Sequence, residues 1–371
     1  MRIGILTLPL HINYGGILQA YALQTVLERM GHEVVVIDTP YSWTLPLWKL
    51  PLIYTKRLIK KYLLRQYDIT ILAEEKRKKE YPIISTYTEQ FINKYIHRKI
   101  VNSPKELQEK DFDAIVVGSD QIWRPKYYSK IENAFLAFAK NWNIKRIAYA
   151  ASFGTDDWEY TPTQVIKCAE LLRLFDSISV REESGVQLCK EHFGVEAKHV
   201  LDPTMLLNKE DYIHLIEVAG TPKSKGNLFT YILDETSSKK ELIKQIVIKT
   251  GLIPFQVNGK NKINNTPLEE CIQPPVEHWL RGFYDADFVV TDSFHGCVFS
   301  ILFSKPFVVV GNKERGMARF ESLLKLFHLE ERMIMADTRI NIDYALDKLE
   351  VKNWQNMKIK SYDILSVLGS Y

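Results

Sequence analysis

Six consecutive residues, Thr291-Asp292-Ser293-Phe294-His295-Gly296, set two hydroxyls, a carboxylate, an imidazole and a glycine at the end of an apolar run. An apolar helical pattern follows. Ser293 or Asp292 can cap that helix. His295 then falls in its first turn, at the positive end of the helix dipole. Such a place attracts anions and offers a group that titrates near neutrality. A lone histidine is more often structural, but one at a carboxyl strand end with a glycine behind it is better placed for chemistry. Downstream, Asn312 to Arg319 follows another apolar run, and Lys313, Arg315 and Arg319 add cations there. Arg315 and Arg319 share a face at helical spacing. A solvated basic helix start is the plainer reading, and adjacency to His295 favours an anion site.

Three further motifs stand at the ends of apolar runs. His11-Ile12-Asn13-Tyr14-Gly15-Gly16-Ile17-Leu18-Gln19 opens a helix expected over Ala20 to Met30. Its glycines let backbone N–H groups approach an anion or a network of sugar hydroxyls, or they simply permit a tight turn. It is not GxGxxG, so a dinucleotide site is not indicated. Gly118-Ser119-Asp120-Gln121-Ile122-Trp123 pairs an aromatic face with amide and carboxylate groups, as a hydroxyl-rich ligand needs. A turn with an Asp cap is the alternative. In Ser179-Val180-Arg181-Glu182-Glu183-Ser184, Arg181 can grip a carboxylate or phosphate bidentately, or it can pair with Glu182, Glu183 or a neighbour.

Other chemistries find little support. Cys168, Cys189, Cys271 and Cys297 form no CxxC pair and no metal-spaced cluster, so no metal is expected and a reducing cytoplasm suits them. Asp111-Phe112-Asp113 and Asp285-Ala286-Asp287 resemble a metal-binding DxD but precede strands rather than follow them. No GxSxG, Walker loop or HExxH occurs. There is no signal-peptide pattern at Met1 and no run of about 18 apolar residues to cross a membrane. Tyr41 to Tyr67 carries Lys49, Lys56, Arg57, Lys60, Lys61 and Arg65 with no acidic residue, which leaves −2 for the rest of a chain of net charge +4. The positive charge is local, so no nucleic-acid footprint is expected.

The elements that must position these motifs read as short β-branched runs between helical patterns. The first series is Ile3 to Leu8, Val34 to Ile37, Ala114 to Val117, Ile147 to Ala150, Ser177 to Val180 and Lys198 to Leu201. The second is Leu228 to Ile232, Ile253 to Val257, Phe288 to Thr291 and Phe307 to Val310. Alternation of this kind predicts βαβ units and parallel sheets, hence an α/β fold of two doubly wound Rossmann-like domains facing across a cleft. The expected organisation is residues 1–207, a linker at 208–227 rich in Gly, Pro, Ser and Lys, a donor-binding domain over 228–345 and a C-terminal helix in 346–371. Residues 41–110 interrupt the first domain as a helical, basic insertion. There Leu52, Leu58, Ile59, Tyr62 and Leu63 favour one side and Lys56, Arg57, Lys60 and Lys61 the other, with Trp43 and Trp48 preceding. The segment over 41–67 reads as a peripheral membrane contact or as a solvated helical insertion, the second being the default.

In order, Asn13-Tyr14-Gly15-Gly16 with Leu18-Gln19-Ala20-Tyr21-Ala22-Leu23, Gly118 to Trp123, Val180 to Ser184, Asp202-Pro203-Thr204 and Thr291 to Gly296 resemble the polysaccharide pyruvyl transferase family. The resemblance implies a GT-B-like pair of Rossmann-type domains. It implies phosphoenolpyruvate as donor and co-substrate, no separate cofactor, and a sugar of a bacterial surface glycan or its lipid-linked precursor as acceptor. The product would be a pyruvate ketal, made in the cytoplasm or at the inner face of its membrane. A lipid-linked acceptor would favour the membrane reading of 41–67. Expected donor contacts are Arg181, Ser293, Phe294, His295, Gly296, Lys313, Arg315 and Arg319. Expected acceptor contacts are Asn13, Tyr14, Gly15, Gly16, Gln19, Asp120, Gln121 and Trp123. His295 would be the general acid or an anchor for the phosphate. Family members often carry arginine two positions before this histidine, where the chain has Ser293. Arg281, Lys305 or the Lys313 to Arg319 cluster would compensate, or the anion geometry differs. The competing readings are a GT-B nucleotide-sugar glycosyltransferase and a non-catalytic glycan-binding relative.

Overall fold

All ten expected strands are present in the computed structural model, which describes the chain except residues 41–44, 46, 68, 129, 261–265, 312–315, 336–342, 348, 350, 352–353 and 370–371. The first sheet holds β1 (Arg2–Leu6), β2 (Glu33–Asp38), β3 (Arg98–Ile100), β4 (Ala114–Val117), β5 (Lys145–Ala151), β6 (Ser177–Val180) and β7 (Lys198–His199). The second holds β8 (Leu228–Tyr231), β9 (Pro254–Phe255), β10 (Phe288–Thr291), β11 (Phe307–Val310) and β12 (Met333–Ile334). Every ladder is parallel. The orders are β3-β2-β1-β4-β5-β6-β7 and β12-β11-β10-β8-β9. The chain is thus an α/β protein of two Rossmann-like halves in a GT-B-like arrangement.

Strand order dictates where ligands go. Each sheet reverses its winding once, between β1 and β4 in the first and between β8 and β10 in the second. In open parallel sheets the crevice outside the carboxyl ends at that reversal takes the ligand. The segments leaving β1, β4 and β10 are the Asn13, Gly118 and Thr291 motifs.

The helix after β1 begins at Tyr14, six residues earlier than expected, because the Asn13 side chain accepts a hydrogen bond from the Gly15 N–H and caps it. The glycines therefore lie inside the first helical turn rather than in a loop before it. In the expected linker, Lys209–Val218 is a helix, with Asn208 and Asp211 forming a capping box at its start. The insertion holds helices at Leu50–Leu58, Ala73–Ile84 and Thr86–Tyr95, and then returns to the sheet as β3.

The halves share apolar core. Ile3, Ile5 and Tyr149 of the first sheet and Phe229, Val289 and Val309 of the second belong to one continuous cluster. Tyr14 bridges it, its ring stacked on Trp279 at 5.5 Å and its hydroxyl donating to the Pro274 carbonyl at 2.8 Å. The last helix, Trp354–Leu365, returns to the first half, packing on β5 and β6, where Ser361 Oγ accepts from the Leu201 N–H at 3.0 Å.

Candidate functional site

The turn after β10 is fixed by its own side chains. Thr291 Oγ1 donates to the Tyr231 carbonyl and accepts from the Ser293 N–H at 3.0 Å. Ser293 Oγ accepts from the Gly296 N–H and caps the helix Phe294–Leu302. Gly296 has no room for a side chain, since a Cβ would stand 2.2 Å from Thr291 Oγ1. Asp292 turns inward: it accepts from the Leu233 and Asp234 N–H groups and pairs with the buried Lys239 at 2.6 Å. Asp292 therefore ties the β8 and β10 ends together and is not available to a substrate.

His295 is buried, and its ring lies directly against Gly15, where a Cβ would sit 2.0 Å from Nδ1. The Asn13 and Thr291 motifs thus meet across the interdomain boundary. The other ring nitrogen, Nε2, stands 3.5 Å from Asp202 Oδ2 and makes no hydrogen bond among the described residues. Asp202 follows β7 and holds its own turn, Oδ1 accepting from the N–H and hydroxyl of Thr204 at 3.0 and 2.7 Å. Its Oδ2 accepts from Arg181 at 2.7 Å, and Arg181 also reaches Asp120 at 3.2 Å. One buried chain of charge therefore runs Asp120–Arg181–Asp202–His295.

Electrostatics follow from that chain. Burial opposes charge on Asp202, but His295 and Arg181 outweigh it and hold the carboxyl well below the usual range. Burial likewise opposes charge on Asp120, and Arg181, His295 and Arg319 prevail there. Both carboxylates are ionised at neutral pH. The guanidiniums of Arg181 and Arg319 lie 4.4 and 5.4 Å from the Phe294 ring centroid. Burial, and then repulsion from Arg181, lowers Arg319 to about 10, so it keeps its charge at pH 7. His11 is pushed down by burial, with Asp120 pulling the other way.

Several expected contacts are placed differently. Arg181 does face the turn, resting on Phe294, but both its Nη groups are engaged by carboxylates rather than open to an anion. Arg281 is paired with Asp285 at 2.8 Å and Lys305 donates to the Tyr284 carbonyl at 2.9 Å, so neither replaces the arginine absent at Ser293. Arg319 is a further buried cation beside the turn, over the Phe294 ring. Lys313 and Arg315 lie outside the described residues. Beyond them, Gly316 adopts φ +85 and seats on the first half, where a Cβ would be 2.0 Å from the Gly154 carbonyl oxygen.

Of the expected acceptor residues, Tyr14, Gly15, Gln19, Asp120 and Trp123 are buried. Trp123 is fully buried, stacked on Phe135 at 4.9 Å with its indole N–H on the Ala134 carbonyl. Gln19 is fully buried, donating to Thr7 Oγ1 and the Gly16 carbonyl and accepting from the Ser119 N–H. Tyr14 is in the shared core. Amide and aromatic side chains satisfy buried backbone as readily as they meet sugars, and sequence cannot tell the two apart. Gln121 accepts from Arg124 at 3.1 Å and packs on Gly154. Gly16 packs on the Asn13 side chain.

Asn13 does open to a cleft, of about 690 Å³, beyond the carboxyl ends of β8 and β9. Asp234, Gln256, Asn258 and Gln273 also line it. Asn258 Oδ1 is buried without a hydrogen bond among the described residues. Sequence reading missed these amides because they follow the two-residue strand β9 or lie far from any motif. Among the described residues, no group of three His, Cys, Asp or Glu side chains could hold a metal ion.

Solved structures of similar form include UDP-GlcNAc 2-epimerases. One from Neisseria meningitidis, bound to UDP-GlcNAc, is 11% identical with a TM-score of 0.48 and 99% of each chain covered. One from Methanocaldococcus jannaschii is 13% identical with a TM-score of 0.47, again with 99% of each chain covered. No curated protein sequence matches significantly. The family model for polysaccharide pyruvyl transferase matches residues 13–314, a span that runs from the Asn13 cap through Arg181 and Asp202 to His295, and the chain belongs to that family.

Proposed function

We propose that the protein transfers pyruvate from phosphoenolpyruvate to two hydroxyls of one sugar in a surface polysaccharide or its lipid-linked precursor, as a ketal. The observation that carries this reading is His295. It sits in the first turn of a helix, between the Gly15 backbone and the ionised Asp202, with Nε2 uncommitted among the described residues.

The chemistry follows from the donor. C3 of the enol takes a proton from His295 as a sugar hydroxyl adds to C2, and the hydroxyl proton is released. The C2–O bond to phosphate breaks, leaving an oxocarbenium centre that a second hydroxyl closes. The second hydroxyl proton returns to His295, and the first leaves with the phosphate. Asp202, 3.5 Å from Nε2, stabilises the charged ring. Arg319 and the positive end of the helix Phe294–Leu302 favour the anionic donor. Arg181 acts through Asp202. The acceptor occupies the cleft, where Asn13, Gln256, Asn258 and Gln273 offer both donors and acceptors without net charge, as hydroxyls require.

The test is phosphate release from phosphoenolpyruvate in the presence of glycan acceptors, with His295→Gln alongside. The variant is expected to lose about 10²–10⁴-fold in kcat while the fold is kept. Unchanged activity in His295→Gln would remove this residue from the mechanism. No phosphate release with any acceptor, together with tight binding of UDP, would replace the reading with nucleotide-sugar transfer.

A further inference from the structure

The helix after residue 49 is inside out. Leu50–Leu58 continues without a break through a wider turn at Ile59–Leu63, and none of these residues is buried. At helical spacing Leu52, Thr55, Ile59 and Tyr62 share one face, with Leu63 beside it, and all of them are exposed. Leu52 is 76% and Leu63 79% exposed, and Trp48, just before the helix, is 78% exposed. The half-buried side carries Ile53, Tyr54, Arg57, Lys60 and Lys61. A surface helix of a soluble protein normally does the reverse, turning its apolar stripe to the core. Here Arg57 is the inward anchor, forked onto Glu74 at 2.6 and 2.7 Å and donating to the Ile71 carbonyl at 2.9 Å.

From this we infer that the exposed face of residues 48–64 is a docking surface for an anionic lipid bilayer. The aromatics Trp48 and Tyr62 suit the headgroup boundary, and the leucines suit the acyl region below it. Lys56 and Arg65 are exposed beside the apolar residues, and Tyr41 to Tyr67 contains no acidic residue to offset them. That charge argues against a second copy of this chain as the occupant, because a two-fold contact would bring like charges together. Anionic headgroups complement it. No helix among the described residues is long and apolar enough to cross a membrane, so the mode is lying on the surface rather than spanning.

The surface is tied to the cleft. Through Arg57 and Glu74 it is anchored to the helix Ala73–Ile84, which packs on the helix Leu268–Cys271 of the second half. The Ile84 carbonyl accepts from the Gln273 N–H at 3.0 Å, and Gln273 lines the cleft. Docking would bring the cleft close to a glycan carried on a membrane lipid. The inference does not depend on the identity of the donor.

The test is flotation of the full chain with vesicles of phosphatidylcholine alone or mixed with phosphatidylglycerol. Strong binding is expected only to the anionic vesicles. Leu52→Ser with Leu63→Ser should weaken it by about tenfold or more, and Lys56→Glu or Arg65→Glu by about fivefold each. Phosphate release with a soluble acceptor should be unaffected by these substitutions, which separates failure here from failure of the proposed chemistry. Equal binding by the parent and these variants, or no vesicle binding at all, overturns the inference. A dimer that Leu52→Ser with Leu63→Ser converts to monomer, seen by light scattering without vesicle binding, overturns it in favour of self-association.

Discussion

Gly15 and His295 come from motifs 280 residues apart in sequence, and each excludes a larger neighbour. A methyl group at Gly15 would overlap the imidazole at 2.0 Å, so Gly15→Ala must turn the ring or shift the helix start. Displacing a catalytic group by about 1 Å commonly costs about 10²-fold. We expect a kcat loss of that order and a stability loss of about 1–3 kcal/mol. In a double-mutant cycle read by urea unfolding, His295→Ala should relieve much of the Gly15→Ala destabilisation. Additive losses would show that the two do not share space. His295 and Arg181 were legible in the sequence because each closely follows a readable strand. Asp202 was legible only as part of a motif, with no hint that it joins the other two. Tyr14, Gln19 and Trp123 were misplaced because nothing local distinguishes an aromatic or amide aimed at solvent from one satisfied inside.

Elements were easier to read than sites. Runs such as Ala114–Val117 and Phe288–Thr291 are buried on both faces, and continuous apolar sequence records that directly. β3 escaped notice because Arg98-Lys99-Ile100 is an edge strand, its burial one-sided and its cations paired with Asp38, Glu89 and Asp111. Yet it positions the site: Arg98 bonds Asp38, whose other oxygen holds the Leu10 N–H in the segment leading to Asn13. Past β11, Gly316 sits at φ +85 against the Gly154 carbonyl. Gly194 offers the control, at φ +66 with nothing within 4 Å of a new Cβ. Gly194→Ala should cost only backbone strain, about 1–2 kcal/mol. Gly316→Ala adds a clash with main chain and should cost a further 1–3 kcal/mol, roughly. Equal midpoints in thermal unfolding would refute the close approach of Gly316 to Gly154.

At the scale of the whole molecule, the buried charge chain makes stability depend on pH. Asp120 and Asp202 are both held below the 3.8 of an ordinary aspartate, so the folded protein binds these protons less tightly than the unfolded chain does. Their contribution is complete above about pH 4 and is lost as pH falls through their folded values. Asp202→Asn should therefore lower stability at pH 7, by about 3–5 kcal/mol where a buried pair is broken, and flatten the acid limb of a plot of melting temperature against pH. A variant limb as steep as the parent's would mean that other carboxylates carry it. The two-sheet plan was legible from alternation alone. The joined core was not, because Tyr14, Trp279 and Phe299 look like ordinary interior residues of their own halves.

The return of the helix Trp354–Leu365 to β5 and β6 sets a schedule for the chain during synthesis. Leu201 and its partner Ser361 are 160 residues apart. At ordinary translation rates about 8–30 s separate their emergence from the ribosome. Through that interval the second sheet can form while the face of the first that receives the helix stays uncovered. Completion of the first half waits on residues made about 160 positions later, so the early-made sheet must be shielded from other nascent chains until the later-made helix arrives.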